Sequence, residues 1–200
     1  MCIRDRIYSS SSFLGTPWDV IVKLYRDNLK EKDFNSVSDY ISDFIKFLSD
    51  NSFFCSEGFQ RKVLRMHIFR LYQDIERKAI AIIGGEVTDS NKPYLFKTIK
   101  DELSSLKEKL DKSEPCEGLK SYTFEKFEKY SIDILDELYN YIVNHTGASP
   151  ELYEHAKQTA FSFLKSSFNL LGYTGLVFVG YGKFDIFPSL KSINVSTAFD

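Results

Sequence analysis

The amino-acid sequence predicts an α+β fold that is mostly helical, with a β-hairpin near its C-terminal end. Three observations carry this. The 200 residues include 18 Phe and 12 Tyr but only 10 Gly and 5 Pro, a balance that favours long helices over a turn-rich β protein. Six stretches repeat apolar residues at helical spacing between cap signals. Finally, the continuous apolar run Gly175–Gly180 is followed by a segment in which apolar and polar residues alternate.

The first six residues, Met1-Cys2-Ile3-Arg4-Asp5-Arg6, read as the translation of a transposase adapter used in preparing DNA libraries. Residues 1–6 are therefore expected to be an assembly artefact, with Cys2 not native and the natural N-terminus lying elsewhere. Ile7 and Tyr8 read as the end of a strand. Thr16 then caps a helix with Pro17 at its first position, and Val20, Ile21, Leu24 and Tyr25 follow at helical spacing to about Lys30. A second helix starts near Ser36, with Asp39 completing a capping box and an apolar face of Val37, Tyr40, Ile41, Phe44, Ile45 and Leu48. The third runs from Glu57 to Ile83 and stops at Gly84-Gly85.

Beyond a polar loop, Ile99, Leu103, Leu106 and Leu110 form a heptad-like seam, which suits a helix packed antiparallel on its predecessor. Thr123 caps one helix to about His145, and Ser149-Pro150 opens the last, with Tyr153, Ala156, Ala160, Phe163, Leu164, Phe168 and Leu171 on one stripe before Gly172. Gly175–Gly180 reads as a strand buried on both faces. Lys183 to Asp185 turns the chain, and Ile193, Val195, Thr197 and Phe199 alternate as a half-buried strand. A lone hairpin is marginal in water, so a chain cut at both ends is the expectation.

Charge and cysteine content narrow the function classes. With 26 Lys+Arg against 28 Asp+Glu, the formal net charge is −2, which removes the usual electrostatic case for nucleic acid or an acidic membrane. No stretch approaches the roughly 20 apolar residues of a membrane span. Three cysteines, Cys2, Cys55 and Cys116, form no paired pattern, so a reducing, cytoplasmic setting is expected. His67, His145 and His155 lie far apart without ligand spacing, so neither a metal nor a cofactor is expected. Cys55, after Phe53-Phe54, reads as a small buried side chain. The basic run Arg61, Lys62, Arg65, Arg70, Arg77 and Lys78 reads as a solvated helix face. Gly180-Tyr181-Gly182 reads as a strand end that needs glycine, since no helix follows to complete a phosphate loop.

Two segments carry a resemblance. Residues 7–26, from Ile7-Tyr8 through the serine loop to Thr16-Pro17-Trp18-Asp19 and Arg26, resemble a strand–loop–helix stretch of uncharacterised microbial proteins with a proteasome-subunit-like fold. Gly175-Leu176-Val177-Phe178-Val179-Gly180-Tyr181-Gly182, with Asp185-Ile186-Phe187-Pro188-Ser189-Leu190, resembles their late hairpin. The resemblance implies an N-terminal-nucleophile hydrolase fold, a four-layer αββα sandwich. Residues 7–200 would then be a single incomplete domain with an enlarged helical layer at about 57–145. Such enzymes use a Thr, Ser or Cys at the chain start, whose own α-amine acts as base. In this chain the nucleophile would lie before Ile7, and the backbone N–H of Ser9 or Ser10 would be the oxyanion donor. The glycine of proteasome subunits at that donor position is replaced here by serine.

The resemblance thus implies amide or peptide hydrolysis in a longer form, with self-association, and predicts that the chain as it stands is inactive. The alternative from the helical pattern is a non-catalytic interaction or structural protein. Likewise, Ser9–Ser12 reads equally as a flexible polar loop.

Overall fold

The structure is a computed structural model that describes residues 4–9, 11–30, 32–50, 54, 56–146, 150–166 and 174–195. It is mostly helical with two small antiparallel sheets, so the α+β class holds. Contacts divide the chain into two compact units, Met1–Val63 with Leu170–Asp200, and Leu64–Asn169.

In the first unit, β1 (Arg4–Ser9) is followed by a two-residue ribbon, β2 (Ser12–Phe13) and β3 (Thr16–Pro17), and by α1 (Trp18–Leu29) and α2 (Val37–Asp50). The main sheet has the order β1–β4–β5, with β4 (Thr174–Gly180) in the centre and β5 (Ser189–Val195) at one edge. Its register places Ile7 opposite Leu176 and Leu176 opposite Ile193. β1 begins at Arg4, so its pairing runs through three residues that read as adapter; main-chain pairing accepts any side chain that fits the pleat.

One sheet face meets the helices: Leu176 and Phe178 are buried with Trp18, Ile21 and Tyr25 of α1 and Val37, Ile41, Phe44 and Leu48 of α2. Phe44 meets Phe178 edge-on at 5.4 Å. The expectation that β4 is buried on both faces is corrected, since Val177 and Val179 on the other face are only half-buried. An antiparallel strand with helices against one face needs no second buried face.

Local signals account for the ends of the elements. The Ser36 N–H donates to Asp39 Oδ2 at 3.0 Å and the Asp39 N–H to Ser36 Oγ at 3.2 Å, a complete capping box. α1 starts one residue later than predicted. Thr16-Pro17 pairs as β3, and Pro17 is itself the N-cap without a side-chain cap bond. Ile45, placed on the apolar face of α2, is instead 48% exposed. α3 (Glu57–Ile82) ends in a Schellman motif, with Gly84 N–H on the Ala81 carbonyl and Gly85 N–H on the Ile80 carbonyl.

The second unit holds most of α3 with α4 (Lys92–Asp111), α5 (Phe124–Tyr130), α6 (Ile132–Thr146) and α7 (Pro150–Lys165). Ile99, Leu103 and Leu110 of the α4 seam are buried and Leu106 is half-buried. α7 runs parallel to α4 in close contact with it, while Lys78 of α3 pairs with Glu102 of α4. Lys100 pairs with Glu151 at 2.5 Å, Thr159 Oγ1 donates to the Leu103 carbonyl at 3.3 Å, and Ser162 Oγ donates to Asp111 Oδ1 at 2.6 Å. Ala156, Thr159, Ala160 and Ser162 on α7 are small and buried, which permits that close approach.

The single helix predicted from Thr123 to His145 is two. Ser131 is buried, and its Oγ donates to the Phe127 carbonyl at 2.5 Å, an i−4 back-bond of the kind that bends helices. Residues Phe168, Leu171 and Gly172 of the predicted last helix, and Thr197 and Phe199 of the last strand, lie outside the described residues.

Candidate functional site

The serine segment is best approached from its anchors. Leu14 and Gly15, with φ of 47° and 86°, turn the chain tightly between β2 and β3, so that Ser12 pairs with Pro17. Phe13 and Trp18 on either side are buried, with ring centroids 5.3 Å apart. The Trp18 backbone N–H donates to the Ser11 carbonyl at 3.2 Å, and its indole N–H donates to Thr174 Oγ1 on β4 at 2.9 Å. Ser11 and Ser12 thus belong to a pinned turn rather than a flexible loop. Ser9 closes β1 opposite Thr174, while Ser10 lies outside the described residues.

An open groove of about 590 Å³ is lined by Ile7 of β1 and by Asp19, Val22, Lys23, Arg26 and Asp27 of α1. Asp19, Lys23 and Asp27 follow at four-residue spacing, which puts alternating charges on one helix face. Among the described residues the groove lining is polar and mixed in sign, with Asp19 and Asp27 beside Lys23 and Arg26. A smaller space of about 30 Å³, room for roughly one water or methyl group, is lined by Tyr25, Leu29, Phe44, Leu176 and Phe178 with Val22 and Arg26. Tyr25 donates to the Tyr40 carbonyl and to Asp43 Oδ2, both at 3.1 Å. Burial, and then the Asp43 carboxylate, push its hydroxyl far above the usual tyrosine range, so it stays a proton donor.

The remaining candidates stand apart. His145 stacks on Tyr141 with centroids 4.1 Å apart, and burial lowers the His67 pKa. The Ser104 hydroxyl comes within 3.4 Å of His155 Nδ1, outside the 2.6–3.2 Å reach of an effective base, and Glu151 beside them is held by Lys100. Cys116 is half-buried and its thiol is pushed up by burial, which disfavours the thiolate; Cys2 and Cys55 lie outside the described residues. Among the described residues no group of three or more His, Cys, Asp and Glu could hold a metal ion. The basic run on α3 is held by carboxylates: Arg65 meets Glu137 at 2.6 Å, Arg77 meets Asp74 at 3.3 Å and Lys78 meets Glu102 at 2.5 Å.

Sequence reasoning passed over the buried polar groups of the second unit. Lys157 is 8% exposed, with Nζ 2.6 Å from Glu128 Oε1 and 2.9 Å from Glu154 Oε1, between the Phe124 and Tyr153 rings. The Tyr141 hydroxyl donates to Glu76 Oε2 at 2.8 Å. Glu154, three residues before Lys157, was a visible signal; the partners on other helices were not.

Among the described residues no helix is long and apolar enough to cross a membrane. Comparison with family models, with curated proteins and with solved structures finds no match for this chain.

Proposed function

We propose that the first unit belongs to a proteasome-like N-terminal-nucleophile hydrolase acting on amide or peptide bonds. One observation supports this reading above others. The two segments that carry the resemblance, about 150 residues apart in the chain, lie side by side as antiparallel β1 and β4, with Ile7 opposite Leu176 and Trp18 bonded to Thr174. In this reading the sheet and its helices α1 and α2 are half of an αββα sandwich. The nucleophile comes from native sequence ahead of Ile7, and the backbone N–H of Ser9 or Ser10 faces the developing oxyanion. The groove beside α1 receives the polar flank of the substrate, and the protein works in the cytoplasm.

The test replaces residues 1–6 with the codons found upstream of Ile7 in source DNA and assays both forms on fluorogenic amides and short peptides. The chain as given is expected to be silent and the restored one active. In the restored form, Ala at the nucleophile abolishes turnover. Ser9→Ala and Ser10→Ala leave turnover largely intact, whereas Pro at whichever position supplies the main-chain donor removes that N–H and the activity with it. Activity in the chain as given overturns the mechanism. Silence in both forms favours the non-catalytic interaction protein.

A further inference from the structure

The connection between β4 and β5, with the start of β5, carries five large apolar side chains within ten residues: Tyr181 is 48% exposed, Phe184 74%, Ile186 85%, Phe187 77% and Leu190 65%. Isolated exposed apolar residues are ordinary, but a run of this density is not. The segment is also held in shape. The Gly182 N–H donates to Asp185 Oδ2 at 2.8 Å, the Asp185 N–H returns to the Gly182 carbonyl at 3.2 Å, and the Lys183 N–H donates to the Phe34 carbonyl at 2.9 Å. Gly182 lies so close to the Asn35 backbone that a Cβ there would come within 2.0 Å of its carbonyl oxygen. The apolar side chains therefore project from a pre-formed platform, and ordering it on binding costs little.

We propose that this connection is the face through which two copies of the chain associate about a two-fold axis. The area argues for that occupant. At about 150–250 Å² for each large side chain, the exposed part of these five comes to roughly 520–870 Å² per copy. Doubling that by symmetry gives about 1,050–1,750 Å² in total when all of it is covered, a span that overlaps the range of a stable protein–protein interface. A two-fold contact sets the same apolar patch against itself and so requires no complementary groove elsewhere on the molecule. Charge argues the same way. The connection carries one lysine, Lys183, and one aspartate, Asp185, whereas attraction to an anionic lipid surface calls for a cluster of about four to eight basic residues. The interface stands whether or not the chain is a hydrolase.

Sedimentation velocity of the full chain tests it, from about 1 to 100 μM, the range in which an interface of micromolar affinity passes from monomer to dimer. The wild-type chain is expected to sediment as a dimer at the upper end. Phe184→Ser with Phe187→Ser is expected to be monomeric throughout, with an unchanged circular dichroism spectrum. Ile186→Lys, which sets like charges across the axis, is the second variant and decides the matter if the double serine variant does not fold. A monomeric wild-type chain at 100 μM, or a dimer that persists in the folded variants, overturns the proposal. So does a monomer that binds phosphatidylserine vesicles through these residues.

Discussion

Burial is the first cause holding the His67 imidazole on α3 below the usual histidine range, and the Arg70 guanidinium is the second. Both disfavour the imidazolium, so the folded chain keeps this ring neutral at pH values where the unfolded chain has already taken up a proton. The stability His67 contributes is therefore fully present above about pH 6.5 and is lost as the pH falls through the lowered folded value. His67→Gln is expected to flatten that part of the acid limb in urea titrations followed by circular dichroism between about pH 7 and 5. An acid limb identical to that of the wild type would show that His67 is not its source. The position of His67 in a helix was legible in the sequence, but its burial depends on which turn of α3 faces its neighbours.

At the level of elements, the β4–β5 connection shows how a glycine inferred from sequence takes its reason from the fold. Gly180-Tyr181-Gly182 reads from the sequence as a strand end that needs glycine, and the structure supplies the cause at Gly182. The connection docks its backbone on Asn35, immediately before α2, and there is no room for a side chain. Gly182→Ala is expected to cost about 1–3 kcal/mol, as overpacking does when neither backbone can yield. Gly58→Ala, with open space around it and in the same unit, is the comparison. The fluorescence of Trp18, the one tryptophan in the chain, reports directly on the first unit during urea unfolding. Equal midpoints for the two variants would show that the close approach relaxes without cost. The break at Ser131 was less legible, because a serine inside a helical pattern bends it only when burial turns its hydroxyl back onto the chain.

For the whole molecule, the seven helices among the described residues predict a far-ultraviolet circular dichroism spectrum dominated by helix, with a minor strand contribution. A strand-dominated spectrum from the expressed chain would reject both the sequence reading and this architecture. Each unit has its own buried apolar residues: Trp18, Phe44 and Phe178 in the first, and Leu64, Ile99, Leu138 and Leu152 in the second. The division follows from chain order, since a long helical insertion separates the strand-bearing ends of the sequence and folds on local contacts of its own.

What the sequence by itself determined is the local layer. Ser36 with Asp39, Gly84 with Gly85, Thr123, and the periodic apolar positions place helix ends and buried faces through interactions only three to five residues apart. What only the tertiary structure decided is every pairing between distant elements. α4 lies along α7, about sixty residues further on, because small residues on α7 permit a close approach. Lys157 is neutralised by a carboxylate from α5, and Ile45 is left exposed although it extends the apolar stripe of α2. The serine turn is pinned through the Trp18 indole by Thr174, 156 residues away. Periodicity records which residues seek burial, but the partner that buries them is fixed by packing complementarity across the chain, and no local signal carries that information.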